Sequence, residues 1–370
     1  AVTDPGTGNV VCAATLSPDA AVRSRYAGCA PFNALGLNAA SPAAAASVLG
    51  TSEYDAVNQT NDLVGSISGD ILTLPAGPLS VAVGGEYRTA SLDLTSNSDP
   101  GVPVDVTGLR GISPSTVRFY LTNVAHAKGD EDVKEVFGEV AVPLLRDAPL
   151  ARELDLNGAV RETDYSTSGS VQTWKIGGTW TPVDGIRFRA TESRDIRAPT
   201  LFDLFAGPQF TQAAAVDPHS GGAAGGNQST SGNPKLKPEI GKAFTVGVVL
   251  QPRVLRGFSA SIDYYDLRIN GAITTLPALT ILQDCEASGG SAPSCANIDR
   301  PLPFSDHSPA NYPSQVTVSG INASMIQTRG IDFDVSYRHA LGPGSLTARL
   351  YANYLYSFKT QLSASQPIIE

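Results

Sequence analysis

"SVQTWKIGGTWTPVDGIRFRATESRDIRAPTLFDLF" (Ser170–Phe205) is the stretch whose reading decides the fold. Its first part alternates, with Trp174, Ile176 and Trp180 on one face and Thr173, Lys175 and Thr179 on the other. After a tight turn the alternation resumes, Ile186, Phe188 and Ala190 against Arg187, Arg189 and Thr191. A period of two is the signature of half-buried antiparallel strands. The apolar face turns polar at Glu192 and Arg194, where the apolar band is expected to end, and Asp195 and Arg197 stay on the charged face. Pro199 cannot donate to a ladder, so pairing stops there. "TLFDLF" then begins a long loop that Leu201, Phe202 and Phe205 are expected to anchor by packing.

The same alternation recurs in "PLSVAVGGEYR" (78–88), "GFSASIDYYD" (257–266), "GIDFDVSYRH" (330–339) and "GSLTARLYANYLY" (344–356). Tight turns at 74–79, 145–151, 181–186, 251–257 and 341–345 alternate with longer links. The reading is about ten strands in five hairpins over 59–360, with long loops at 94–130, 199–236 and 271–315 and a short link near 166–170. Residues 1–58 form a loop region with a short helix at 41–49, N-capped by Ser41 with Pro42 at N1. Residues 361–370 begin a further loop.

A soluble sandwich rarely sorts short and long connections by end, and long structureless loops are uncommon in compact domains. An outer-membrane barrel does both. The charged face decides its size. Arg187, Arg189, Asp195, Arg197, Asp263, Asp332, Asp334 and Arg338 share one interior, and buried charge needs partners or water. A wide, wet lumen supplies both, so the fold class is all-β, a large antiparallel transmembrane β-barrel. Trp180 and Phe258 beside tight turns, and Tyr354, Tyr356 and Phe358 at a long-loop end, suit aromatic girdles.

Composition narrows the function. A net charge of −9 argues against a nucleic-acid partner. Mean hydropathy of −0.04 is too polar for a helical membrane protein, and the candidate run 30–50 is interrupted by Asn33, Asn38 and Pro42. The missing initiator Met and the "AVTDPGTGN" opening point to a mature product or an internal fragment. The cysteines fall as two local pairs, Cys12/Cys29 and Cys285/Cys295, without zinc-site spacing. Two loop-closing disulfides in an oxidising compartment are expected; free loop thiols are the alternative. No hydrolase, zincin or phosphate-loop motif occurs, so catalysis and cofactors are not expected. His219 and His307 each sit beside an Asp in a loop, where weak metal binding competes with plain solvation, and solvation is favoured. The run 213–233 reads as a mobile loop, a lid or disorder. Phe205, Phe210, Phe304 and Tyr312 are either ligand-stacking rings or packing anchors.

Five segments in order carry a family resemblance: "DVKEVFGEVAVPLL" (132–145), residues 154–205, "GNPKLKPEIGKAFTVGVVLQP" (232–252), "GFSASIDYYDLRINGAI" (257–273) and "TRGIDFDVSYR" (328–338). Together they resemble the barrel of TonB-dependent outer-membrane receptors, and "GCAPFNALG" (28–36) is similar to a loop of that group. The resemblance implies a 22-stranded barrel around a plug, and energised nutrient uptake through TonB. The chain shows no plug, no TonB-box-like leader and no closing terminal strand. With about ten strands and two open edges, it is expected to be a fragment.

The resemblance implies an outer membrane of a Gram-negative bacterium, and as partners the lipid bilayer, lipopolysaccharide, the TonB complex through a plug, and a small-molecule or oligosaccharide ligand. A passive porin-like channel and a surface adhesin or scaffold are the alternatives. The charged-face residues either pair with the plug or wall, line the substrate path, or only keep the lumen wet.

Overall fold

A computed structural model describes residues 1–109, 118–119, 122–362 and 366–370, and the side chains of these apart from 212–215 and 224–227. Parts of the expected loops 94–130 and 361–370, namely 110–117, 120–121 and 363–365, lie outside the described residues.

The N-terminal region holds a two-stranded pair, β1 (Val2–Thr3) and β2 (Val10–Val11), and two short helices, α1 (Ala20–Arg25) and α2 (Pro42–Val48). The Ser41 hydroxyl accepts from the Ala44 N–H at 3.1 Å and so starts α2. Three long hairpins follow: β3 (Tyr54–Leu74) with β4 (Gly77–Ser96), β5 (Ala127–Ala148) with β6 (Ala151–Tyr165), and β7 (Gly169–Val183) with β8 (Ile186–Arg197). The next link contains α3 (Leu201–Phe205) and a small hairpin, β9 (Gln209–Val216) with β10 (Ala223–Ser231). The fourth wall hairpin is β11 (Glu239–Leu250) with β12 (Phe258–Thr275). A link carrying α4 (Ala278–Ala287) and β13 (Ile298–Asp299) leads to the fifth, β14 (Gln315–Leu341) with β15 (Gly344–Gln361).

These five hairpins make a continuous antiparallel meander, β3-β4-β5-β6-β7-β8-β11-β12-β14-β15, the ten strands expected. All five tight turns lie at one end. The structure is a partial barrel wall, with β3 and β15 each paired to one neighbour among the described residues. Glycines allow the turns to crowd. Gly185 has φ +85° and a Cβ there would lie 2.6 Å from the Gln251 carbonyl oxygen; Gly257 has φ +83° and a Cβ would lie 2.0 Å from the Arg338 carbonyl oxygen.

Register turns the sequence alternation into two faces. Trp180, Phe188, Val248, Ile262, Phe333 and Ala352 form one row across six strands. One residue along, Thr179, Arg189, Gly247, Asp263, Asp332 and Asn353 form the next, on the opposite face. The apolar face stays open: Val83, Ile176 and Leu350 are 53%, 54% and 63% exposed. Exposed apolar surface on this scale marks an interaction surface.

Buried apolar clusters sit instead near the long-link end. Leu92, Leu94 and Ala127 pack with Val124 and Leu201, while Val133, Tyr165 and Val171 pack with Ile196 and Ala198. The stretch 199–236, expected as a loop, is largely structured. Thr200 and Asp203 form a reciprocal capping box that starts α3. The small, glycine-rich run needs no apolar face to pair: β10 joins β9 antiparallel and joins β14 in parallel, residues 227–231 against 315–319. The anchor differs from expectation as well. Leu204 is 1% exposed and Phe205 rests on the space left by Gly129, but Phe202 is 46% exposed. In one helical turn Leu201, Leu204 and Phe205 can face the wall together and Phe202 cannot.

Candidate functional site

The charged face is assembled by the wall strands. Arg189 of β8 reaches across β11 and donates both Nε and Nη2 to the Asp263 carboxylate of β12, at 2.7 and 2.6 Å. Gly247 lies between them in register, and a Cβ there would fall 2.0 Å from Asp263 Oδ1. Arg197 makes a two-pronged contact with Glu239 at 3.1 and 2.5 Å, and Glu239 also accepts the Ile273 N–H at 2.6 Å. Arg349 grips Asp334 at 3.0 and 2.5 Å. Asp332 accepts from Asn353 at 2.7 Å, and Asp195 accepts from Ser193 at 2.7 Å. Arg187 stands 3.7 Å from Glu153, and Arg338 donates to Ser345 at 3.4 Å. These eight residues lie on one face, and their partners are wall residues, apart from Asp203 of α3, which stands 3.8 Å from Arg197.

Sequence reading missed three members. Glu239, Glu135 and Arg161 belong to the same face, and Arg161 donates to buried Glu135 at 2.7 Å while Arg88 stands 3.7 Å from it. Their signal was available, since each occupies the charged parity of a strand, but a partner on the next strand is invisible without register.

A second cluster lies where two links meet, beyond the wall. Asp217, at the β9–β10 turn, is fully buried and takes two hydrogen bonds from Arg300 at 2.6 and 2.9 Å and one from the Ser220 hydroxyl at 2.7 Å. Burial pushes its carboxyl up, but the bonds from Arg300 and Ser220 outweigh that and hold it at about 2. Buried Asn311 ties the 302–306 segment together, donating to the Pro303 and Asp306 carbonyls and accepting the Leu302 N–H.

His219 is not the solvated loop histidine that was expected. Its side chain is buried, with Nδ1 2.7 Å from Glu286 Oε2 and Nε2 3.1 Å from the Asp306 carbonyl oxygen. Phe304 and His307 cover its ring at centroid distances of 4.2 and 4.1 Å, so Phe304 is a packing residue. Glu286 is placed by α4, which seats Ile281 and Leu282 on Val316 and Val318 of β14. Both cysteine pairs are disulfides, Cys12–Cys29 and Cys285–Cys295, and the second closes the segment that follows α4. An open cleft of about 610 Å³ adjoins α4, lined by Leu276, Ile281, Ser288, Asn297, Ser319 and Ile321 among others.

The family described as "TonB dependent receptor-like, beta-barrel" matches residues 15–367. The chain belongs to this receptor-barrel family. Among solved structures, the family fold recurs in a mutant of the ferric enterobactin receptor PfeA of Pseudomonas aeruginosa in complex with enterobactin. That match has 15% identity and a TM-score of 0.55 over 82% of this chain and 36% of that one. The siderophore receptor PirA of Acinetobacter baumannii gives 12% identity and a TM-score of 0.50 over 84% of this chain and 40% of that one. At these identities the likeness is one of fold, and the chain spans well under half the length of either receptor. No curated protein matches the chain.

The two faces of the wall differ physically. The apolar row is open along its length, and the charged row is held by pairs that are half-exposed. Such pairs set geometry more than they add stability. The link cluster is different in kind, because its buried ion pair and buried imidazole join two segments far apart in sequence.

Proposed function

We propose that this chain is the wall of an outer-membrane active-transport receptor for TonB-dependent uptake of a scarce nutrient. The family match over residues 15–367 carries this reading. The physical features support it. The open apolar row is suited to lipid, with Trp180 and Phe188 stacked at 5.4 Å near the tight turns as an interfacial belt. The charged row faces a wet lumen in which Arg187, Arg189, Asp195, Arg197, Asp263, Asp332, Asp334 and Arg338 are wall residues offered to a plug or a passing solute. A tilted strand crosses a hydrocarbon core with about ten residues. Strands of 20 to 27 residues therefore rise well beyond it and carry the links outward as a ligand-collecting rim.

An iron chelate and an oligosaccharide are the substrate classes to try first, because both are too large for ordinary diffusion pores. The test is accumulation of labelled ferric chelates and oligosaccharides by cells whose only such receptor is the full-length protein, with and without a protonophore. Uptake that stops when the proton gradient collapses is expected. Uptake that continues unchanged would indicate a passive channel, and surface binding without uptake an adhesin; either rejects the proposal.

A further inference from the structure

His219 presents an electrostatic problem whose solution identifies a site. The Asp306 carbonyl oxygen can only accept, so His219 Nε2, 3.1 Å away, carries a proton. If the ring is neutral, Nδ1 is then a bare lone pair, yet it faces the Glu286 carboxylate at 2.7 Å. Two acceptors at that distance repel in a buried setting. A positive species must relieve the contact, either a second proton on the ring, which fits the spacing as it stands, or a metal ion, which fits once the two atoms move slightly apart.

The third group tips the choice. His307 Nδ1 lies 3.2 Å from the His219 carbonyl oxygen, which again can only accept. That leaves His307 Nε2 as a bare nitrogen. One ligand atom each from His219, Glu286 and His307 lies within 4.8 Å of the others. Both histidines thus have one ring N–H engaged with a backbone carbonyl, the arrangement that orients metal-ligating imidazoles. A proton on His219 would satisfy Glu286 alone, whereas a metal ion would engage Glu286 and both imidazoles.

We propose that His219, Glu286 and His307 bind one borderline divalent transition-metal ion, of the zinc class, that latches the β9–β10 turn to the α4 link. Two imidazoles and a carboxylate are a zinc donor set, with a fourth position left for water or a ligand atom. Bonds of about 2.0–2.1 Å put tetrahedral ligand atoms about 3.3 Å apart. Glu286 withdraws slightly from His219, and the exposed His307 side chain swings in. Nearby groups do not compete: Asp217 is taken by Arg300 and Ser220, and Cys285 and Cys295 are joined to each other. The inference is independent of what the barrel transports.

The test is calorimetric titration of the detergent-solubilised full-length protein with Zn²⁺, and separately Mg²⁺, in metal-free buffer at neutral pH. One zinc per chain and no magnesium are expected. His307→Ala and Glu286→Gln should each weaken zinc at least tenfold. Because His219 is buried, His219→Ala risks misfolding, and the exposed His307 carries the test, with unchanged circular dichroism as its folding control. No zinc binding by the parent protein, or binding unchanged in both variants, overturns the proposal.

Discussion

Arg189 and Asp263 are 74 residues apart and not on adjacent strands, yet they form a bidentate ion pair at 2.7 and 2.6 Å because Gly247 leaves the intervening strand bare. The pair is a bridge over β11. Gly247→Val should break it, since its Cβ would clash with Asp263 Oδ1, and the resulting side-chain displacement should cost about 1–3 kcal/mol. Thermal unfolding of the solubilised protein measures this. Arg189 is half-exposed, so the coupling in an Arg189→Ala, Asp263→Ala cycle should be only about 0.5 kcal/mol. A larger coupling than strand-space loss would mean that the pair, and not the clearance, is what matters.

Trp180 donates its indole N–H to the Leu150 carbonyl at 2.9 Å while its ring stacks on Phe188. Trp180→Phe keeps the stack and loses the hydrogen bond, so a loss of about 1 kcal/mol is expected. With Trp174→Phe as background, Trp180 is the sole tryptophan of residues 1–370, and its fluorescence, read as the difference from the matching Trp180→Phe protein, should be quenched by a label at the headgroup level of a nanodisc rather than by one at the bilayer centre.

The Asp217–Arg300 pair should withstand mild acid. Its folded-state carboxyl value is lowered from 3.8 to about 2, so the associated stability is fully present above about 4 and is lost as pH falls through about 2. Amide protection at 217–222 and 300–311 should exceed that of Asp217→Asn by a constant margin from pH 7 to about pH 4, then converge with it on further acidification. Removing one partner of a buried pair costs about 3–5 kcal/mol, so at neutral pH the variant should open these links measurably. Equal protection in the two proteins at pH 7 would refute the assignment.

Both disulfides should be present in the mature protein. Alkylation before reduction should leave Cys12, Cys29, Cys285 and Cys295 unlabelled, and alkylation after reduction should label all four, as read by peptide mapping. Cys295→Ser should increase proteolysis between 276 and 314 without loosening the wall, because α4 is held to β14 by Ile281 and Leu282 but the segment after it is closed by the Cys285–Cys295 bond.

Much of the wall was legible in residues 170–205 alone. Trp174, Ile176 and Trp180 against Thr173, Lys175 and Thr179 place the faces because successive strand side chains point oppositely. The tight turns and the long links are equally local. The helix at 201–205 was legible too, in Thr200 and Asp203 at capping-box spacing, but the charged strand before it and Pro199 drew the reading toward a loop. The glycine-rich run 213–233 carried no such signal, since its order comes from backbone pairing with β14.

By itself the sequence determined the faces, the hairpins and the family, because a period of two and a turn are written in neighbouring residues. Only the tertiary structure decided which charges meet. Arg189 finds Asp263, Arg197 finds Glu239, and His219 is buried against Glu286, through register and link packing that join segments from 42 to 74 residues apart. Alternation says which side of a strand a residue takes, but not which residue stands beside it, and burial of a loop histidine depends on what another loop lays over it.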